Sequence, residues 1–313
     1  MSNYFIYKIT YTLHKLGFYY YSVKYYIKDN YNKTSNPIIN IFGFIRIIII
    51  ALFHELKIFS SKSRFYEYTE IPITTVCTLK CKACSNLIPC YKNPKDVDLN
   101  MLLKSIDVFL ECINNIVYMR VLGGEPFSSK NLFPVLQKLL QSSKIQRIEI
   151  VTNGTLIPKD DELIELLKNK RIIISISEYP QVDLSRLILF LKNNNINYRI
   201  DKINFWMDYG DTTKKNKSYN ELKKQFRRCN HICKSLLNGQ LHLCPRSSHG
   251  TDLGIITNNE DDYINLLDKT ISIEEKKKLI IKLFKKKCIL ACDYCDFATS
   301  KSKKIPVAEQ VEN

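Results

Sequence analysis

From Phe65 onward, short runs rich in β-branched residues alternate with segments whose apolar residues recur at the helical period. That alternation confines the fold to a parallel sheet with crossover helices. Residues 68–76 read as the first strand. Asp98 then caps a helix whose Leu99, Leu102, Leu103, Ile106, Leu110 and Ile113 share one face. Residues 116–122 make the second strand, Leu132, Val135, Leu136, Leu139 and Leu140 mark the next helix, and 147–152 make the third strand. A helix at 160–168, a strand at 171–177, a helix at 183–192 and a strand at 197–203 complete five βα-type repeats. The expected class is α/β, a partial (β/α)6 barrel, with a helical N-terminal extension and a small cysteine-rich C-terminal module. In such folds chemistry gathers at the carboxyl ends of the strands.

Residues 1–63 differ in texture. Tyr19-Tyr20-Tyr21 and Tyr25-Tyr26 precede a run, 41–53, that is apolar except for Gly43 and Arg46. It is too short and interrupted for a membrane span of about 20 residues. A helix that packs on the catalytic domain or a partner is the preferred reading, with membrane-surface contact as the alternative. Ser60-Ser61-Lys62-Ser63 reads as a linker. The expected domains are 1–63, a barrel at 64–228, a cysteine module at 229–300 and a tail at 301–313.

The 313 residues carry 47 Lys and Arg against 31 Asp and Glu, a formal charge of +16 that favours acidic partners such as a flavodoxin or a phosphorylated substrate. No nucleic-acid motif accompanies the charge, so nucleic acid is not expected. Lys, Asn, Ile and Tyr are all encoded by A/T-rich codons, which accounts for part of the charge without selection. The eleven cysteines cluster as 77/81/84, 229/233/244 and 288/292/295, with Cys90 and Cys112 outside. Such clusters read as metal sites in a reducing cytosol, and no secretion signal is evident, so a cytoplasmic location is expected.

Cys77, Cys81 and Cys84 follow the first strand with CxxxCxxC spacing. Three thiolates on a cube of four irons leave one iron for a ligand that is not protein. A structural zinc site completed by Cys90 is the competing reading. After the second strand comes Gly123-Gly124-Glu125-Pro126, after the third Thr152-Asn153-Gly154, and after the fourth Ser175-Ile176-Ser177-Glu178. Glycines there let a backbone approach a ligand closely. Polar groups thus line one rim.

The cysteine triplet with GGEP and TNG on the next strands resembles the radical S-adenosylmethionine (SAM) enzymes over roughly residues 65–205. The resemblance implies that Cys77, Cys81 and Cys84 hold a [4Fe-4S] cluster whose open iron chelates SAM. It implies that Gly123, Gly124 and Glu125 contact the methionine amino group, and that Ser177 and Asn153 lie in the ribose region. Many relatives carry an aromatic residue before the third cysteine; here it is Ala83, so the adenine contact is expected from Leu87 or Ile88. Cleavage of SAM would give a 5′-deoxyadenosyl radical that abstracts hydrogen, with a flavodoxin or ferredoxin as electron donor.

The spacing Cys229…Gly239…Cys244, with Asn238-Gly239 as a tight hairpin turn, resembles the opening of a SPASM/twitch module. Cys288, Cys292 and Cys295 follow a helix at 273–287. One auxiliary [4Fe-4S] cluster is expected on Cys244, Cys292 and Cys295 with Cys229 or Cys233, a choice left open; zinc is the alternative. Cys288 reads as a spare or core thiol, and Cys90 and Cys112 as buried thiols. His231, His242 and His249 read as surface or hairpin residues. Arg199, Asp201, Asp208 and Arg246 are substrate-pocket candidates by position.

A second cluster suits a net oxidation, while a thiol donor, for which Cys90 is the candidate, would suit epimerisation. The short module resembles that of small-molecule dehydrogenases in the superfamily, so the expected substrate is a small polar or sugar-like molecule in a polysaccharide or natural-product pathway. A ribosomally made peptide and a non-catalytic zinc or iron–sulfur module are the alternatives.

Overall fold

The structure, a computed structural model, describes residues 65–229 and 233–311. The expected helix at 41–53, the linker, the membrane-surface contact and His231 lie outside the described residues. Among the described residues, no helix is long and apolar enough to cross a membrane.

The chain order is β1 (Phe65–Pro72), α1 (Leu99–Cys112), β2 (Asn115–Leu122), α2 (Leu132–Leu140), β3 (Ile145–Thr152), α3 (Asp161–Leu167), β4 (Ile172–Glu178), α4 (Ser185–Asn193) and β5 (Tyr198–Lys202). These are the five repeats expected from the sequence. Two of the helix starts have a visible cause. Asp98 accepts from Met101 N at 2.7 Å and Asp160 accepts from Leu163 N at 2.7 Å, each satisfying a donor that an unpaired first turn leaves free.

Beyond β5 come β6 (Trp206–Met207), α5 (Tyr219–Arg228), β7 (Lys234–Leu237), β8 (Gln240–His242), α6 (Pro245–Asp252), β9 (Tyr263–Asn265), α7 (Ile273–Phe284) and β10 (Lys304–Ile305). The main sheet has the order β5-β4-β3-β2-β1-β7-β8-β9. The sixth parallel strand is therefore β7, which pairs with β1 through Thr69↔Lys234 and Glu70↔Ser235. It joins the opposite edge from β5, giving the partial barrel its sixth strand. The expected hairpin is present: Asn238 and Gly239 have φ of 49° and 80°, the left-handed pair that a two-residue turn requires. It is hydrogen-bonded into the same sheet as the barrel strands. Among the described residues, the short β6 pairs with β10 alone, antiparallel.

The strands are two-faced. Ile71 on β1, Met119 and Val121 on β2, Ile148 and Ile150 on β3, and Ile174 and Ile176 on β4 are fully buried, supplying the core. The residues between them point to the other face by the two-residue period of a strand. There Glu70 pairs with Arg120 at 3.8 Å, Arg120 with Glu149, Glu149 with Arg199, and Arg199 with Asp201 at 3.2 Å, while Ser175 donates to Asp201. A ladder of alternating charge thus crosses β1 to β5. Arg199 and Asp201, expected to meet substrate, are members of it.

Glu149 is the hinge of this ladder, bridging two guanidinium groups while 1% exposed. Removing it leaves two cations without their shared counter-charge. Glu149→Ala is expected to cost about 3–5 kcal/mol in denaturant unfolding, as for other broken buried pairs. Glu165→Ala, in an exposed pair on α3, is expected to stay within about 0.5 kcal/mol of the parent.

Candidate active site

β1 stops at Pro72, which has no N–H for the ladder. The chain nonetheless continues beside the exit of β2. Ile73 N donates to Leu122 O at 2.8 Å, Gly124 N to Thr74 O at 2.9 Å and Glu125 N to Val76 O at 2.8 Å. Both partners advance together, so 73–76 and 122–125 run parallel. On its other side this segment is held by Thr75 N donating to Lys95 O at 2.9 Å. Cys77 enters the loop from a backbone pinned on both edges.

Close approach explains the paired glycines. A Cβ on Gly124 would stand 1.9 Å from Val76 O and 2.9 Å from Cys77 Cβ; one on Gly123 would stand 2.2 Å from Thr74 O. GGEP and the cysteine loop are therefore one unit.

Glu125 is fully buried. Its Oε1 accepts from Phe127 N at 3.1 Å and Thr152 Oγ1 at 2.8 Å, and its Oε2 accepts from Asn153 N at 2.9 Å. Burial pushes its carboxyl up to about 7 against the pull of these donors. The side chain thereby fastens the end of β3 to the end of β2. Asn153 in turn donates through Nδ2 to Thr78 Oγ1 at 3.1 Å and reaches Cys77 Sγ at 3.6 Å. Leu79 N also donates to Cys77 Sγ, at 3.5 Å.

The three thiols share one environment. Burial pushes Cys77 up to about 11, and raises Cys81 and Cys84 as well. Neighbouring buried thiols ionise most readily against a cationic partner, so this donor set suits a metal cluster that takes one thiolate per iron. N–H groups already aimed at Cys77 Sγ are the contacts that stabilise such a thiolate. Among the described residues, no three His, Cys, Asp or Glu side chains converge as ligands of a single ion would.

Sequence reasoning missed Tyr179. It follows β4, hydrogen-bonds Ser177, packs edge to face on Trp206 at 5.6 Å, and lies near enough to feel Cys81, Cys84 and Cys77. The signal available was its place just past a strand end. Leu87 and Ile88 are buried in the cysteine loop, with Leu87 in the left-handed region at φ 54°.

In the second group, Cys244 feels Cys229, Cys295 and Cys292, and burial raises its thiol. Burial likewise pushes Cys292 up to about 12, and the nearby thiols of Cys229, Cys295 and Cys288 push in the same direction. Cys233 instead shares a 2.9 Å hydrogen bond with the Tyr68 hydroxyl. The loop of Cys292 and Cys295 is held from below: Lys217 Nζ donates to Cys292 O at 3.0 Å, and Gln225 Nε2 donates to Cys295 O at 2.8 Å. Arg246 donates to Tyr294 O at 3.0 Å, and the carboxylate of Asp208 accepts from Gly210 N at 2.8 Å.

Two expectations are corrected here. His249 is buried on α6 and is neither a surface nor a hairpin residue; His242 does lie on the β7–β8 hairpin, buried, and desolvation pushes both down to about 3, which leaves them neutral. His242 sits between Ser247 and Gln240, and His249 Nδ1 meets the Tyr91 hydroxyl at 2.9 Å. Cys90, read as a buried thiol, is exposed, because the short helical turn Ile88–Cys90 turns it outward; Cys112 is buried as expected.

Gly124→Ala forces the cysteine loop away from the end of β2. The expected outcome is loss of most of the iron and sulfide retained after anaerobic reconstitution, with the secondary structure seen by circular dichroism preserved.

A family model described as the radical SAM superfamily matches residues 71–204. A GTP 3′,8-cyclase of Alkaliphilus metalliredigens is 33% identical over 113 residues, which is 36% of this chain and 35% of that protein. A GTP 3′,8-cyclase of Pasteurella multocida is 30% identical over 99 residues, 31% of this chain and 29% of that one. The matches thus take in about a third of these relatives' length. Among solved structures, BtrN in complex with AdoMet and 2-DOIA overlaps 76% of this chain and 97% of its own, at 14% identity and a TM-score of 0.45. SuiB of Streptococcus suis bound to its precursor peptide SuiA overlaps 50% and 37%, at 22% identity and a TM-score of 0.35. Over residues 71–204 the chain carries a radical SAM domain, the domain of enzymes that pair a [4Fe-4S] cluster with SAM.

Proposed function

We propose that Cys77, Cys81 and Cys84 are the ligands of the [4Fe-4S] cluster, and that the barrel face of the sheet receives a small polar substrate. The single observation that carries this reading is the fusion of the cysteine loop with Gly123–Glu125 by three parallel backbone hydrogen bonds. When bound, the cluster supplies the one-electron chemistry that turns SAM into a hydrogen-abstracting reagent. The chain's own residues hold and shield. Leu79 N and Asn153 Nδ2 stabilise the Cys77 thiolate. The backbone of Gly123 and Gly124 would contact the methionine amino group of SAM. Glu125 acts through its three donors as the clasp that sets β2 against β3. Tyr179, hydrogen-bonded to Ser177 and close enough to the three thiols to feel them, takes the adenine role for which Ala83 leaves no ring.

Cys229, Cys244, Cys292 and Cys295 are the proposed ligands of an auxiliary cluster, because their thiols influence one another while Cys233 is engaged by Tyr68. On this reading residues 64–228 are the radical SAM unit and 229–300 the auxiliary unit. Cys229, Cys244, Cys292 and Cys295 would hold a cluster that supplies one-electron acceptor chemistry, which would suit a net oxidation. The charge ladder from Glu70 to Asp201 favours a substrate rich in hydroxyl, amino or phosphate groups.

A second reading is favoured by the relatives' name, which specifies bond formation within GTP. A purine nucleotide is itself a small polar substrate, and its phosphates suit a chain of charge +16. Oxidation and cyclisation then differ in the fate of the substrate radical, not in how it is made.

The test is anaerobic reconstitution followed by SAM and dithionite, with 5′-deoxyadenosine measured. About eight irons per chain are expected for two cubes and about four for one. Cys77→Ala is expected to abolish 5′-deoxyadenosine. Cys292→Ala is expected to lower the iron count by about four while retaining 5′-deoxyadenosine. Stimulation by GTP, with a cyclised product in the mass spectrum, would select the second reading; zinc in place of iron would overturn both.

A further inference from the structure

The segment 308–311 lies across the cysteine loop. Lys82 N donates to Glu309 O at 2.7 Å, Val311 N donates to Lys80 O at 2.8 Å, and Cys81 and Gln310 form an antiparallel bridge. The Gln310 side chain is then engaged through both its oxygen and its nitrogen. Its Oε1 accepts from Lys80 N at 2.7 Å, and its Nε2 donates to Ala308 O at 2.5 Å and to Cys81 Sγ at 3.4 Å. Gln181, in the turn after β4, donates to the same Ala308 carbonyl at 2.8 Å. Ala308 is 1% exposed and adopts φ of 52°, a conformation that disfavours any residue with a Cβ. The chain accepts that conformation where it turns onto the loop.

Backbone pairing alone would suffice to cover the loop. Aiming an amide N–H at a ligand sulfur does something further. Cys77 has Leu79 N and Asn153 as donors, both from elements next to the site, and Cys84 has backbone donors from Asn86 and Ile88. For Cys81 the side-chain donor is Gln310, brought in from the far end of the described chain. A hydrogen bond to a cluster thiolate withdraws negative charge and so favours the reduced state.

We propose that residues 308–311 form a strap over the cysteine loop and that Gln310 is a positioning residue whose Nε2–H, donated to Cys81 Sγ, raises the reduction potential of the cluster held there. The donor role rests on the assignment of the cluster to Cys77, Cys81 and Cys84. The strap itself does not.

The full chain, Gln310→Leu and Gln310→Glu are compared by two readouts. Glutamate keeps an acceptor for Lys80 N and removes the donor to Cys81 and Ala308 O; leucine removes all three contacts. In the metal-free protein, hydrogen exchange over residues 78–84 is expected to be several-fold faster in Gln310→Leu and raised by a smaller factor in Gln310→Glu. In reconstituted protein, a redox titration followed by the resonance of the reduced cluster is expected to show both variants harder to reduce. The reduced-to-oxidised ratio should fall about tenfold at the parent's midpoint, which is about 59 mV for a one-electron couple. Parent-like potentials in both variants overturn the donor role, and parent-like exchange in Gln310→Leu overturns the strap. Failure of the parent chain to load a cluster through Cys77, Cys81 and Cys84 overturns the site assignment and the donor role with it. The exchange measurement still decides the strap.

Discussion

The site depends on two backbones lying side by side without room for a Cβ. Where 73–76 runs against 122–125, carbonyl oxygens of Thr74 and Val76 occupy the volume that side chains at positions 123 and 124 would need. The three hydrogen bonds between the segments fix their register, and a shift of one residue would turn every side chain to the opposite face. From this contact the rest follows in order. Glu125 is set at the mouth, its carboxylate gathers Thr152 and Asn153, and Asn153 reaches back to the Cys77 thiol. The loop that begins with Cys77 is thus oriented by the ends of β1, β2 and β3 together.

The sheet behind this contact has unlike faces. Its apolar side supplies the stabilising burial through Ile71, Val121, Ile150 and Ile176. Its other side carries the ladder Glu70–Arg120–Glu149–Arg199–Asp201. Buried ion pairs contribute little to stability compared with apolar residues of equal volume, and their desolvation is costly. What they do provide is a fixed pattern of donors and acceptors on a rigid surface. A polar molecule laid on that surface would meet groups that already have partners and defined positions.

How much of this was legible in the sequence depended on whether the cause was local. Asp98, Asp160 and the Asn238-Gly239 turn act on neighbours a few residues away, so their effects could be read directly. The expected strands and helices as far as β5 followed from periodicity, with ends shifted by at most four residues. Pro72 ended β1 earlier than expected because it lacks a ladder donor. Nothing in the residues of β7 says that it will pair with the free edge of β1 and not follow β5. That choice is made by contacts over 160 positions away in sequence, such as Tyr68 with Cys233. The burial of His249 was hidden for the same reason, since its partner Tyr91 lies on a loop 158 positions away that only the fold brings to it. Tyr179 and Gln310 carried no motif, only a position.

The pairing of Gln310 with Cys81 joins residues 229 positions apart. During synthesis the cysteine loop and the strands that orient it are complete long before 308–311 have been made. Domains made first can fold first, so the loop passes through a period in which it is built and uncovered. The Cys292 and Cys295 loop also appears before the strap does. Chain order alone therefore leaves the cysteine loop uncovered until residues 308–311 have been made.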